Sequence, residues 1–267
     1  MSLWRNIKDI LLSYYLPQNH FILVSFPKVG RTWLKFMLNK IYADLINDNN
    51  QASINLKKQA GNLPVLKDTH DWSEIIIESG YRPDPLKLFK YSKRYFYHRS
   101  KVIHLIRDPR DTIVSHFHQV TKRAKNPFVF DSISHFLRDP IYGFSRIIKF
   151  YTLWSKNESV PKDYLLIKYE NLKHNGIPEL RKIVDFLGLE NVSDKLLQRV
   201  YEESSAEKMR DLEKKEKIDG FNQFGKNINS LKVRKAKIGG YKSELSQEDI
   251  EYCENLMKDL PENYQYR

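Results

Sequence analysis

The sequence predicts an α/β fold, in which one domain has a central, mainly parallel sheet flanked by helices. Short apolar runs bounded by turn residues, at 21–26, 101–106 and 164–168, are typical of buried strands. Amphipathic helical patterns lie between these runs. Strands that alternate with helices indicate a parallel sheet whose two faces are both covered.

The predicted elements follow one another along most of the chain. Strands are predicted at residues 21–26, 64–67, 101–106 and 164–168. Helices are predicted at residues 32–46, 109–122, 143–157, 177–187, 193–215 and 246–259. The first helix carries its apolar residues on one face, from Trp33 to Leu45, and Pro109 suits the first turn of the second. Loops are predicted at 47–62, 78–100 and 216–244, where polar residues, prolines or glycines accumulate.

Composition limits the class of protein. Hydrophobic residues make up 41% of the 267 residues, which is enough for a substantial core. We expect one domain over 1–267, with its core at about 20–260 and a helical segment at 1–19. Cys253 is the only cysteine, which excludes an intramolecular disulfide and favours a reducing compartment. The chain has no run of about 18 apolar residues and no signal-peptide pattern, so we expect a cytoplasmic protein without a membrane span.

The net charge of +12 favours anionic partners. It arises from 45 Lys and Arg against 33 Asp and Glu, and it suits nucleotides, nucleic acid, acidic glycans or an anionic membrane. A lysine-rich solvated surface explains the same charge equally well. Basic residues therefore indicate a site only where they stand in specific loops.

The first such loop joins the strand at 21–26 to the helix at 32–46. Its sequence is S-F-P-K-V-G-R-T-W, from Ser25 to Trp33. The N–H groups of a helix N-terminus, a glycine that permits close approach and the ammonium of Lys28 together suit a phosphate-like anion. The segment lacks the order G-x-x-x-x-G-K-S/T, so a magnesium-bound triphosphate is not predicted. The alternative is an ordinary turn with a solvated lysine.

A second anion site is predicted where the strand at 101–106 ends. Arg107 follows this strand and Ser115 lies about two turns into the next helix, so both can converge on one phosphate. The alternative is that Arg107 stabilises the local turn through Asp108 or Asp111. Ligands of open α/β sheets lie at the carboxyl ends of the strands. The two sites therefore predict one ligand with two separated acidic groups.

These motifs resemble those of the sulfotransferase family that uses 3′-phosphoadenosine 5′-phosphosulfate (PAPS). The loop from Ser25 to Trp33 is similar to the family's P-loop-like phosphosulfate loop, T/S-Y/F-P-K-S/A-G-T/N-T-W. The segment from Arg107 to Ser115 is similar to its 3′-phosphate motif, R-N/D-P-K/R-D-x-x-V-S.

Two further segments resemble the same family. Residues 165–175 are similar to its strand ending in Y-E-D/N-L/M, and residues 234–242 to its late loop, R-K-G-x-x-G-D/E-W-K. The four motifs occur in the family's order and extend over roughly residues 20–245.

The resemblance implies an enzyme that moves a sulfuryl group from PAPS to a hydroxyl or amine and releases adenosine 3′,5′-bisphosphate (PAP), without a metal. Lys28 stabilises the leaving phosphate, Arg107 holds the 3′-phosphate and Trp33 stacks on adenine. The implied cofactor-binding residues are Lys28, Val29, Gly30, Arg31, Thr32, Trp33, Arg107, Ser115, Tyr169, Ser204, Arg234, Lys235 and Ala236.

The sequence departs from the family's pattern at some of these positions. Arg31 replaces the usual Thr or Asn beside the phosphosulfate, and Val29 removes a common hydroxyl. Ala236 replaces a glycine of the late loop. Ser204 begins a Ser-Ser-Ala segment where the family often has Thr-Ser-Phe, so one face of the adenine site differs.

His70 is the candidate for the base that takes the proton of the sulfate acceptor. It follows the strand at 64–67, and the resemblance places a histidine in a Lys-Thr-His context at this point. Here the lysine is Lys67, one residue further away, so its catalytic role is left open. A histidine near neutral pKa suits a general base.

Other titratable residues near these motifs are interpreted as structural. His104 lies within a strand, and His116 and His118 lie on the helix that follows Arg107. Glu170 is expected to pair with a backbone or basic group near the end of its strand.

Two other classes of function are weighed against a sulfotransferase. A non-catalytic protein that binds polyanions or nucleotides explains the charge but not the two spaced loops. A P-loop kinase requires a lysine and an acidic magnesium ligand that the sequence does not place. The sulfate acceptor is left open among a small molecule, a lipid and a carbohydrate, with a pocket expected at 71–100 and 216–232. No nucleic-acid partner is expected, and the oligomeric state is left open.

Overall fold

A computed structural model describes residues 20–47, 63–71, 73, 97–122, 129–215 and 236–266. The predicted segment at 1–19 and most of the loops predicted at 47–62, 78–100 and 216–244 lie outside the described residues.

Four parallel strands form the sheet in the described part of the chain. They are β1 (Phe21–Ser25), β2 (Leu66–Thr69), β3 (Lys101–Ile106) and β4 (Asp163–Lys168). Their order is β2-β1-β3-β4. The register pairs Val24 with both Thr69 and His104, so the strands end at one edge of the sheet. Every residue of β1 is buried, which requires cover on both faces and confirms the predicted fold class.

Helices follow the strands in the predicted order. They are α1 (Arg31–Leu45), α2 (Pro109–Lys122), α3 (Ile133–Arg138), α4 (Phe144–Ser155), α5 (Tyr169–His174), α6 (Gly176–Leu187), α7 (Asp194–Glu203), α8 (Ala206–Lys214) and α9 (Gln247–Met257). Short 3₁₀ turns lie at Gly240–Ser243 and Glu262–Tyr264. Within these described residues, no helix is long and apolar enough to cross a membrane.

The structure corrects two of the predicted elements and adds two short helices. The helix predicted at 193–215 is two helices, because the side chain of Ser205 caps α8 by accepting from the N–H of Lys208 at 3.3 Å. The short helices α3 and α5 were not predicted, since each is only six residues long. β2 begins at Leu66 rather than Pro64, and the carbonyl of Pro64 instead accepts from the hydroxyl of Tyr42 at 2.9 Å.

The late loop is attached to α2 through one carboxylate. The N–H groups of Gly239 and Tyr241 donate to the side chain of Asp111 at 2.9 and 3.0 Å. Ala236 adopts a left-handed conformation, with φ of 49°. This attachment brings the described part of the late loop to the carboxyl edge of the sheet, beside the beginning of α2.

His104 belongs to the core, as predicted. It is completely buried, and its Nδ1 atom lies 2.6 Å from the hydroxyl of Tyr164 and 3.2 Å from that of Tyr264. Burial lowers the pKa of His104 to about 3, so the ring is neutral. His118, which was also interpreted as structural, pairs through Nε2 with Glu244 at 2.6 Å.

Candidate active site

The candidate residues gather where the four parallel strands end. β1 leads into the loop that carries Lys28, and His70, Arg107 and Tyr169 directly follow β2, β3 and β4. Because these strands are parallel and in register, their carboxyl ends form one edge. This is the edge at which open α/β sheets bind ligands.

The loop between β1 and α1 has the backbone of an anion site. Lys28 and Gly30 both have positive φ, 74° and 96°, and the carbonyl of Gly30 accepts from the N–H of Trp33 at 2.9 Å. The N–H groups of Arg31 and Thr32, which precede Trp33 in this first turn, have no carbonyl within the helix to bind. The side chain of Val29 is buried in the core. Only the backbone of Val29 can therefore contact a ligand.

Tyr169 lies directly against this loop. A Cβ atom on Gly30 would lie 2.6 Å from Cδ2 of Tyr169. The guanidinium of Arg107 stacks on the same ring, 4.7 Å from its centroid. Tyr169 therefore connects the first predicted anion site to the second.

Arg107 joins three segments of chain at this edge. It is 9% exposed, and its Nη2 atom donates to the carbonyl of Lys237 at 2.9 Å. Its Nη1 atom donates to the carbonyl of Lys28 at 3.5 Å, and it pairs with Asp111 at 3.4 Å. The alternative interpretation, in which Arg107 stabilises the local turn through Asp111, is therefore also met in the structure. Its buried Nε atom has no hydrogen-bond partner within the described residues.

Ser115 lies on the face of α2 that borders both loops. It is partly buried, and it stands one turn from Asp111 on one side and one turn from Gln119 on the other. Asp111 contacts the late loop, and Gln119 accepts from Nζ of Lys28 at 3.2 Å. Helical spacing alone could have indicated Gln119, because it is four residues from Ser115.

Trp33 is held in place by residues from the part of the chain that follows β4. Its indole N–H donates to the carbonyl of Ser204 at 2.7 Å. The rings of Tyr169 and Tyr201 lie 5.6 and 5.9 Å from its ring, and Nζ of Lys173 lies 5.1 Å from its centroid. Tyr201 and Lys173 were missed by sequence reasoning, since no local pattern marks them.

His70 is oriented by the end of β1. Its Nδ1 atom lies 2.7 Å from the carbonyl oxygen of Ser25. A carbonyl can only accept, so Nδ1 carries the hydrogen and Nε2 is the basic nitrogen. Burial, followed by the charge of Arg31, lowers the pKa of His70 to about 4. The ring is therefore neutral near pH 7 and able to accept a proton.

Arg31 is directed towards β2. Its Nη2 atom pairs with Asp68 at 3.4 Å, and Lys35 pairs with the same carboxylate at 2.8 Å. Burial lowers the pKa of Arg31, although Asp68 opposes this effect. The residue thus places a positive charge close to His70.

The structure does not bring every predicted site residue to this edge. Lys67 is exposed and lies in register with Ile22, near the amino end of β1. Burial lowers the pKa of His20, and the charge of Lys67 lowers it further. This placement gives the catalytic role of Lys67 no support, and that role stays a prediction. Arg234 and Lys235 lie outside the described residues, whereas Ala236 is next to Lys237, which binds Arg107.

Glu170 pairs with backbone, as predicted. Its Oε1 atom accepts from the N–H of Asp108 at 2.9 Å. Burial raises the pKa of Glu170 to about 7. The carboxylate therefore joins the end of β4 to the beginning of the 3′-phosphate motif.

Comparison with known proteins identifies the class to which this fold and site belong. The family described as Sulfotransferase domain matches residues 18–265. The chain belongs to this family, which confirms the resemblance drawn from the four motifs and indicates a transferase of the sulfuryl-transfer type.

Particular relatives cover most of the chain. It is 26% identical over 267 residues to sulfotransferase 2A6 of Mus musculus, covering 95% of this chain and 88% of that one. It is 24% identical over 265 residues to flavonol 3-sulfotransferase of Flaveria bidentis, covering 90% and 81%. The crystal structure of mouse sulfotransferase SULT7A1 complexed with PAP shares the fold, with a TM-score of 0.66 at 19% identity over 98% of this chain and 92% of that one.

Proposed function

We propose that this protein transfers a sulfuryl group from PAPS to the hydroxyl or amine of an acceptor. The observation that carries the proposal is the position of Arg107, which binds the carbonyl of Lys28 in the phosphosulfate loop and the carbonyl of Lys237 in the late loop. This position supports the proposal that the two predicted anion sites are parts of one site. The PAP bound to the mouse sulfotransferase of the same fold supports the same donor here.

The donor would extend along the carboxyl edge of the sheet. Its 5′-phosphosulfate lies over the N–H groups from Val29 to Thr32, with the hydroxyl of Thr32 and the ammonium of Lys28 beside it. Its 3′-phosphate lies against Arg107 and Ser115, with Arg234 and Lys235 of the late loop predicted to help. Adenine lies against Trp33, close to Tyr169 and Ser204.

The transfer itself is an in-line displacement at sulfur. A new bond forms between the oxygen or nitrogen of the acceptor and the sulfur, while the bond from sulfur to the 5′-phosphate oxygen breaks. The electron pair of the broken bond leaves with PAP, where Lys28 stabilises the added charge. The proton of the acceptor goes to Nε2 of His70, whose Nδ1–H donates to Ser25. Positioning and electrostatic stabilisation supply the catalysis.

A small molecule is the class of acceptor that we propose first. The name of one relative, flavonol 3-sulfotransferase, supports it, whereas lipid and carbohydrate acceptors stay open. A cytoplasmic location is proposed together with this function. It is supported by Cys253, a free and buried thiol, which suits a reducing compartment.

Calorimetric binding of PAP, AMP and magnesium-bound ATP tests this function. We expect metal-free binding of PAP that is about 100-fold tighter than that of AMP, because only PAP carries the second phosphate. Transfer of labelled sulfate from PAPS then follows. Equal affinity for PAP and AMP with strong salt dependence would favour the polyanion-binding alternative. Preference for magnesium-bound ATP would favour the kinase.

A further inference from the structure

His116 is a buried histidine whose ring nitrogens have no hydrogen-bond partner in the described part of the chain. It lies on α2 and is 7% exposed. Its ring packs edge-on against Phe26, with centroids 5.9 Å apart, and at a tilt against Phe136, with centroids 5.8 Å apart. The ring is therefore fixed by apolar contacts, while both polar atoms lack a partner among the described residues.

Three other buried or partly buried histidines of this protein differ from His116 in this respect. The Nδ1 atom of His104 binds a tyrosine hydroxyl at 2.6 Å, that of His20 lies 3.1 Å from Oγ of Ser100, and that of His70 binds the carbonyl of Ser25. Burying a polar group without a partner is unfavourable, and such groups are rare in folded proteins. A buried imidazole of this kind is therefore expected to bind a ligand or a water molecule.

The surroundings of His116 place it at the catalytic end of the site. Arg146, Lys28 and His70 are all close enough for their charges to affect it. Gln119, one turn further along α2, accepts from Nζ of Lys28. Phe26, against which His116 packs, directly follows Ser25, the residue that orients His70. His116 thus lies near both the proposed base and the proposed leaving-group cation.

The protonation state of His116 restricts what it can bind. Burial, followed by the charges of Arg146 and Lys28, lowers the pKa of His116 to about 3. A neutral imidazole has one N–H donor and one acceptor nitrogen. A hydroxyl oxygen, which accepts as well as donates, is a suitable partner, and an ammonium group is disfavoured beside Lys28 and Arg146.

We propose that His116 is a second histidine that binds the sulfate acceptor, with its imidazole N–H donating to the hydroxyl oxygen that receives the sulfuryl group. This inference rests on the proposed function. His70 removes the proton from that oxygen, and the hydrogen bond from His116 directs one of its lone pairs away from sulfur so that another points along the line of attack. No additional bond is made or broken by His116.

The variant that tests this role is His116→Phe, measured with PAPS and p-nitrophenol as the probe acceptor. Phenylalanine keeps the ring packing on Phe26 and Phe136 and removes both nitrogens. We expect kcat/KM for p-nitrophenol to fall about 10–100-fold, and the Kd for PAP to stay within about twofold. The midpoint of thermal unfolding is expected to be unchanged or higher, because an unpartnered buried polar group is removed.

Two further variants make the result specific. His116→Gln keeps an N–H donor and an acceptor, and we expect it to recover at least about fivefold of the lost kcat/KM. His118→Phe makes the same change on the same helix at a histidine that pairs with Glu244, and its kcat/KM should stay within about twofold of the parent protein. If the parent protein does not use p-nitrophenol, hydrolysis of PAPS with water as acceptor gives the same comparison.

The outcomes separate this inference from the proposed function. Near-normal transfer by His116→Phe would mean that only an ordered water binds the ring, which overturns the inference alone. A lower unfolding midpoint together with weaker PAP binding would show a structural role and also overturn it. Failure of the parent protein to bind PAP, or to transfer or hydrolyse sulfate, would instead overturn the proposed function.

Discussion

The ring of Tyr169 lies so close to Gly30 that residue 30 has no room for a side chain. A Cβ atom there would lie 2.6 Å from Cδ2 of Tyr169, and the φ of Gly30 is 96°. The end of β4 is thereby packed onto the loop that follows β1. Both steric space and backbone conformation require glycine at this position.

Gly30→Ala is expected to weaken PAP binding at least about tenfold and to destabilise the protein by about 1–3 kcal/mol, because the loop and Tyr169 must separate. Calorimetry and urea unfolding measure the two effects. Gly188→Ala is the matched control, since Gly188 also has positive φ, 67°, but nothing lies within 4 Å of an added Cβ. The control should lose stability and keep its affinity for PAP. Equal affinities in both variants would contradict the proposed position of the donor.

Arg107→Ala is expected to weaken PAP binding about 100-fold and AMP binding less than about fivefold. The reason is that the guanidinium is proposed to bind the 3′-phosphate, which AMP lacks, and charge-assisted hydrogen bonds to phosphate are strong. Arg199→Ala, which removes a surface arginine paired with Asp44, controls for the loss of one positive charge. An equal loss of PAP and AMP affinity would show that Arg107 only holds the two loops together through Lys28 and Lys237.

The pH dependence of transfer is expected to reflect the low pKa of His70. The folded protein holds the pKa of this histidine at about 4, below the usual 6.5, so the ring stays neutral as pH falls to about 5.5. The kcat/KM for phenol, an acceptor that stays un-ionised over this pH range, should therefore show no decline centred near pH 6.5. As pH falls, His70 takes up a proton in the unfolded chain before it does so in the folded protein. The free energy of unfolding therefore decreases only as pH falls from about 6.5 through 4. The measurement is also made in the Glu170→Gln variant, in which the titration of Glu170 is absent. A decline in kcat/KM with an apparent pKa of 6–7 in that variant would contradict this assignment.

Glu170→Gln is expected to increase the free energy of unfolding at pH 8 and to change this free energy little at pH 5. Burial raises the pKa of Glu170 to about 7 in the folded state, so the folded protein holds a proton that the unfolded chain has released. Its stability accordingly falls as pH rises from about 4.5 through 7, by roughly 3 kcal/mol. Glutamine keeps an oxygen that accepts from the N–H of Asp108. Urea unfolding at the two pH values tests this, with Glu202→Gln on the surface as control, and equal effects at both would contradict it.

The strands and their following loops could be predicted from the sequence because the signals are local. Apolar runs and turn residues predicted β1, β3 and β4 to within one or two residues, and the two motifs that resemble sulfotransferase loops lie on the predicted strand ends. Short helices such as α5 and the break between α7 and α8 were missed. Each depends on one capping residue or one tertiary contact, which a periodic pattern does not contain.

The sequence by itself determined the α/β class and the family and located the segments proposed to bind anions, since hydrophobic period and turn chemistry act over a few residues. Only the tertiary structure decided which distant residues meet. The order β2-β1-β3-β4 brings Tyr169 onto Gly30 and the carbonyl of Ser204 to Trp33. It also places His116 close to Lys28 and His70, where neither of its nitrogens has a hydrogen-bond partner among the described residues. Such contacts depend on how parallel strands are ordered and on which faces of helices pack together, and no local pattern in the chain specifies either.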